Sequence, residues 1–199
     1  TSSSITLRDL AAINIEDVFQ RHCAIPTGID SIDNFIPGIY PGQLVIIAAR
    51  PGLGKTSLAL QIASNMPKTS LFFSLEMNNL ELYARRLSGL SSVESWKIET
   101  SQINQDEALK IFNAQENIRN ASNNLIIMDR HSDINMIINM ARKFIRRGNI
   151  SAIFIDYLTL ISGGRGENQN LRVADITRRL KTLAVEYNIP VILLSQLNR

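Results

Sequence analysis

The chain has 199 residues, 45% of them apolar and 20% charged, which is material for one domain with a full-sized core. A formal net charge of +3 is too mild to mark a nucleic-acid binder by itself, and the single cysteine, Cys23, excludes an internal disulfide. No apolar run approaches the roughly 20 residues of a membrane span, and the opening Thr-Ser-Ser-Ser lacks the charged and apolar regions of a secretory signal.

Taken in chain order, residues 1–22 read as an amphipathic helical segment. Leu7, Leu10, Ala11, Ile15, Val18 and Phe19 fall near helical spacing, and Thr6 with Asp9 forms a capping box. Cys23 reads as a small, part-buried apolar residue. A stretch punctuated by proline and glycine runs from Pro26 to Gly42. Leu44 to Ala49 is a continuous aliphatic run, as expected of a strand buried on both faces. Lys55 to Met66 has helical spacing and stops at Pro67. Ser70 to Leu75 is a second strand and Leu80 to Leu90 a helix. Residues 92–121 are polar and helical in two pieces, with Asn104 and Glu107 marking a helix start.

Leu125 to Met128 is a third strand. The helix Asp133 to Arg147 carries an aliphatic stripe at Ile134, Ile137, Ile138 and Ala141, and Gly148 is expected to close it in a left-handed cap. Ala152 to Ile155 is a fourth strand. Ser162 to Asn170 is a polar, Gly-rich loop, expected to be mobile at Gly163-Gly164; Leu171 to Tyr187 is a helix, and Val191 to Leu194 a fifth strand. This alternation implies an α/β fold, a twisted, mainly parallel sheet with right-handed crossovers and helices on both faces.

The strongest chemical signal is Ala49-Arg50-Pro51-Gly52-Leu53-Gly54-Lys55-Thr56, lying between a strand and an amphipathic helix. Small residues let backbone amides turn toward phosphate oxygens, and the helix N-terminus adds its positive end. The nucleotide cradle is read as Arg50, Pro51, Gly52, Leu53, Gly54, Lys55, Thr56 and Ser57. Lys55 supplies charge for the terminal phosphates of ATP, and the Thr56 hydroxyl ligates Mg²⁺. The first position of the usual pattern is glycine and here is Ala49, which costs little if its backbone stays in an allowed region.

Hydrolysis needs further groups at the carboxyl edge of the sheet. Asp156 follows an aliphatic strand and is assigned to Mg²⁺ through water. Glu76 follows Leu71-Phe72-Phe73-Ser74-Leu75 and is assigned as the base that polarises the attacking water. Gln196 lies just past the fifth strand, and its residues alone support two readings equally: a terminal-phosphate sensor or an ordinary polar loop residue.

Four motifs occur in order: Ala-Arg-Pro-Gly-Leu-Gly-Lys-Thr, Phe-Ser-Leu-Glu-Met, Ile-Asp-Tyr-Leu-Thr-Leu-Ile and Leu-Ser-Gln-Leu-Asn-Arg. With the upstream Pro-Thr-Gly-Ile-Asp-Ser-Ile-Asp, they resemble the RecA-like ATPase domain of the DnaB-type replicative helicases over about residues 5–199. The resemblance implies the RecA-like P-loop fold with strand order 125–128, 70–75, 152–155, 191–194, 44–49. It implies Gln196 as a sensor of the terminal phosphate and Arg85 as an arginine near the nucleotide. It also divides the chain into a linker-helix segment, 1–22, and an ATPase core, 23–199, incomplete at its C-terminal end.

The family assembles as a homo-hexamer, moves along single-stranded DNA, and meets primase and a helicase loader in the cytoplasm at the replication fork. The resemblance therefore implies these partners, with no membrane. It places an arginine finger of the neighbouring subunit and a DNA-contacting loop after the last motif, so slow hydrolysis by this chain alone is expected. Arg165, Arg172, Arg178, Arg179 and Lys181 are the basic residues available to DNA, and for the helical ones a solvated helix face is the favoured reading. Two other functions fit the residues: a related ATPase of recombination or regulation, and a nucleotide-binding fragment without turnover.

Overall fold

The computed structural model describes residues 6–12, 14, 23–121 and 125–197. Five strands form one sheet: β1 (Leu44–Ala49), β2 (Thr69–Ser74), β3 (Leu125–Met128), β4 (Ile150–Asp156) and β5 (Val191–Gln196). Every pairing is parallel and the order is β1-β5-β4-β2-β3, which is the order implied by the resemblance. The helices are α1 (Leu7–Ala11), α2 (Asp30–Asp33), α3 (Lys55–Asn65), α4 (Asn79–Ser91), α5 (Ser95–Glu99), α6 (Gln105–Asn120), α7 (Ile134–Arg147) and α8 (Gln169–Tyr187).

Alternation along the central strands divides the core between two faces. Leu71, Phe73, Ile153, Ile155, Val191 and Leu193 point to one side and pack under the aliphatic stripe of α7 and the inner face of α8. Phe72, Ala152, Phe154, Ile192 and Leu194 point to the other and pack on α3, where Ala59 and Ala63 let the helix approach closely. Phe72 and Phe154 stack across adjacent strands with ring centroids 5.9 Å apart. A smaller cluster of Leu87, Val93, Ile111 and Ala114 joins α4 to α6.

Capping follows the sequence closely. Asn104 and Glu107 form the expected box at α6, and Asn78 with Glu81 forms another at α4. Thr6 and Asp9 exchange hydrogen bonds around α1, but Leu7 is 85% exposed and does not dock on this core. Ile15, Val18 and Phe19, which belong to the expected amphipathic stripe, lie outside the described residues.

Several expectations are corrected. β1 is not covered on both faces by the described residues: it is the end strand of the five, and its Ile46 is 54% exposed. An aliphatic run predicts a strand, but its burial depends on what packs over each face. Gly148 has a positive φ of 84°, but its ψ of 172° is extended, and the left-handed residue is Asn149 at φ 68°. Cys23 is exposed. The loop after β4 is tied down rather than loose. The Ser162 amide donates to the Ser132 carbonyl (2.9 Å), the Ile134 amide to the Ser162 carbonyl (3.0 Å) and the Arg165 amide to Asp175 (3.2 Å). Asn168 caps α8, which therefore starts two residues before Leu171.

Candidate functional site

The candidate cradle begins where β1 ends. Ala49 is still in the strand, paired with Gln196 in register, so its backbone is extended and alanine suits the position. The turn that follows needs glycine for its backbone sign. Gly52 and Gly54 have φ of 79° and 80°, and a Cβ at either would meet no atom within 4 Å. Conformation, not space, selects glycine at both. Gly54 then caps α3, whose first-turn amides have no partner within the helix.

The neighbouring strand order brings the other groups in. Asp156 ends β4 opposite Ser74 of β2, and Leu75 continues the pairing by donating its amide to the Asp156 carbonyl at 2.8 Å. Glu76 sits one residue beyond, on a turn closed by the Ser74 hydroxyl, which donates to the Met77 carbonyl at 2.6 Å. Gln196 ends β5, between the strand of Asp156 and the strand of the glycine turn. Arg85 projects from α4, whose N-terminus is anchored by Asn78 and by Asp129 at the end of β3.

A cavity of about 450 Å³ lies over this edge, within the usual size of a small-molecule site. Arg50, Pro51, Gly52, Gly54, Lys55, Thr56 and Ser57 line it, as do Glu76, Arg85 and Gln196. Two sequence candidates do not. Leu53 is 71% exposed and does not line the cavity, although its neighbours in the turn do. Asp156 lies beneath the floor, fully buried. Its Oδ2 accepts the Thr56 hydroxyl at 2.6 Å, and its Oδ1 faces Lys55 Nζ at 3.5 Å. The Lys55 ammonium also lies 4.4 Å from the centroid of the Tyr157 ring.

The donor set fits a hydrated divalent cation. Oδ1 of Asp156 is buried and accepts no hydrogen bond among the described residues, and 3.5 Å is long for a bond to Lys55. An orphaned carboxylate oxygen beside a hydroxyl is what a magnesium ion bound through one carboxylate, one hydroxyl and water requires.

Residues 24–199 match the family described as DnaB-like helicase C terminal domain. The chain belongs to that family. It is 38% identical over 180 residues to a probable plasmid replicative DNA helicase of Chlamydia trachomatis, a match covering 88% of this chain and 40% of that protein. Over 204 residues it is 38% identical to the replicative DNA helicase DnaB of Buchnera aphidicola, covering 97% of this chain and 44% of that one. Among solved structures it superposes on one described as an ATPase domain with a TM-score of 0.83 and 27% identity, over 99% of this chain and 73% of that chain. A DnaB-like replicative helicase solved for its interactions with primase gives 0.82 and 29%, over 100% of this chain and 49% of that one. The chain thus spans less than half the length of these curated relatives.

Within this DnaB-like domain, sequence reasoning missed Met77, Ser88, Gly89 and Ser95 as cavity residues. Ser88 and Gly89 were legible, since they stand three and four positions after Arg85 and so share its helix face. Ser95 comes from α5, and no sequence pattern places that helix against α4. Tyr157 is legible only as a member of a motif, and its ring under Lys55 emerges from the fold.

Four of the five basic residues considered for DNA make side-chain hydrogen bonds or ion pairs within the DnaB-like domain, Arg179 among them through Asp175. Arg178 donates to Asp175 at 2.8 Å, Arg172 to the Gly166 carbonyl at 3.2 Å and Lys181 to the Gly42 carbonyl at 2.8 Å. The Arg178 guanidinium and then the Arg165 amide hold the Asp175 carboxyl below its ordinary value. A carboxyl depressed in the folded state favours folding above its unfolded pKa of about 3.9, and that contribution disappears as the pH falls through the folded value. Thermal denaturation across this acidic window is expected to show a shallower pH dependence for Asp175→Asn than for the unsubstituted chain. Equal slopes would mean that the carboxylate does not hold the loop.

Proposed function

We propose that this chain is the nucleotide-hydrolysing motor domain of a replicative DNA helicase. The observation that carries the reading is the 2.6 Å hydrogen bond joining Thr56, in the first turn after the glycine turn, to the sheet-edge carboxylate Asp156. It links the phosphate cradle to the residue best placed to serve a metal.

In this reading the amides of residues 52–57 and the Lys55 ammonium bind the triphosphate of ATP. The Thr56 hydroxyl and, through water, Asp156 hold Mg²⁺. That ion supplies charge neutralisation on the phosphates. Glu76 takes a proton from the attacking water. Gln196, between Asp156 and the cradle, hydrogen-bonds the terminal phosphate and registers its loss, and Arg85 meets the nucleotide from α4. The Tyr157 ring keeps the Lys55 ammonium over the site.

The same reading assigns the chain to a homo-hexamer that translocates on single-stranded DNA at the replication fork, with primase and a loader as partners. Support comes from the helicases it resembles, and from the solved relative described together with its interactions with primase. Backbone contacts make such binding sequence-tolerant and salt-sensitive. No described helix is long and apolar enough to cross a membrane.

The test is ATP hydrolysis with and without single-stranded DNA, followed by unwinding of a forked duplex. Stimulated turnover with unwinding supports the motor. Stimulated turnover without unwinding, by the full-length protein, points to a recombination or regulatory ATPase. Absence of nucleotide binding overturns the reading.

A further inference from the structure

A second cavity, of about 210 Å³, opens on the far side of α4 from the nucleotide site, between α3, α4, α6 and β3. Its walls include Leu60, Leu82, Leu90, Ile118 and Ile127. One charged residue, Arg86, stands in this apolar setting. Its guanidinium makes no hydrogen bond or ion pair among the described residues, and burial alone lowers its pKa, with no acidic neighbour opposing the shift. Residues 122–124, which follow α6 in the sequence, are Ser-Asn-Asn and carry no acid. Asn117, exposed at the rim of the cavity, makes no side-chain hydrogen bond among the described residues.

A half-buried guanidinium with no counter-charge is costly to keep in a folded core, whereas arginine is well suited to grip a carboxylate with two parallel hydrogen bonds. The size of the space sets the rest of the ligand. An apolar cavity of roughly 150 Å³ accepts benzene, so this one has room for a ring and one small polar group. We propose that it is a binding site for a small apolar monocarboxylate, of arylcarboxylate size, with the carboxylate on Arg86 and Asn117 and the body among the aliphatic side chains.

The location gives the site a means of influence. Helix α4 presents Tyr83, Arg86 and Leu90 to this cavity and Arg85, Ser88 and Gly89 to the other one. Helix α3 likewise has Lys55 and Thr56 at one end and Leu60 and Ser64 at this cavity. A ligand here packs against the backs of the two helices that shape the first pocket. The binding claim itself does not depend on the nucleotide reading.

The test is a titration of the methyl-labelled chain, without nucleotide, by benzoate and by the neutral benzyl alcohol, followed by nuclear magnetic resonance. The expected result is that the carboxylate shifts the methyls of Leu82 and Ile127 and binds about tenfold or more tightly than the alcohol, the scale of a charge-assisted hydrogen bond. Arg86→Met, which keeps an apolar stem, should bring the two probes to the same affinity. Equal affinities in the unsubstituted chain, unchanged preference in Arg86→Met, or no shift with either probe would overturn the proposal. The comparison of probes needs no variant, so it stands even if the substitution disturbs folding.

Discussion

Lys55→Ala is expected to abolish ATP turnover and to weaken binding of ATP more than that of ADP. The ammonium is held in the pocket by Asp156 at 3.5 Å and by the Tyr157 ring at 4.4 Å, with the Lys55 side chain only 11% exposed. It is the cation the cradle offers from the first turn of α3, and alanine removes the charge nearest the glycine turn. Hydrogen bonds to charged groups contribute about 1.5–3 kcal/mol, so ATP affinity should fall by about 10- to 100-fold. Titration calorimetry with ATP and ADP, each with Mg²⁺, reads the difference. Loss of the lysine also leaves Asp156 buried with only Thr56 as partner, so a melting curve must accompany it. Equal loss of both nucleotides alongside a collapsed melting temperature would report damage to the fold; unchanged ATP binding and turnover in a folded variant would remove Lys55 from the site.

Glu76→Gln separates chemistry from binding. Glu76 is exposed on the turn closed by Ser74, and its side chain makes no hydrogen bond or ion pair among the described residues. An amide of the same shape therefore has nothing to disturb. Nucleotide affinity should be nearly unchanged, whereas single-turnover hydrolysis should slow by about 10² or more, the scale of general-base catalysis. A variant that hydrolyses at the unsubstituted rate would move the base to another residue. Because the two substitutions act on different observables, one on affinity and one on rate, they test different parts of the same pocket.

Much of the site was legible because its logic is local. The glycine turn, the lysine and the threonine are contiguous, and their conformational demands are met within one turn and one helix. Asp156 and Glu76 were legible by a weaker rule, that a carboxylate just past an aliphatic strand lies at the sheet's carboxyl edge. That rule locates each on its own strand and says nothing about which strands are neighbours. Arg85 was found by resemblance, and its companions Ser88 and Gly89 follow from helical spacing once that face is known. Leu53 marks a limit of the motif, since membership does not decide whether a side chain lines the cavity.

The sequence by itself determined the alternating strands and helices, the capping box at Asn104, the glycine turn and the family to which the chain belongs. All of these depend on residues a few positions apart, where propensity, spacing and backbone sign act directly. Only the tertiary structure decided that Thr56 and Asp156, 100 residues apart, share a hydrogen bond, that β4 lies between β2 and β5, and that Arg86 faces an apolar cavity without a counter-charge among the described residues. Strand order and helix placement come from how two sheet faces bury their apolar surface together. That sum runs over the whole chain, and no short stretch of it contains the answer.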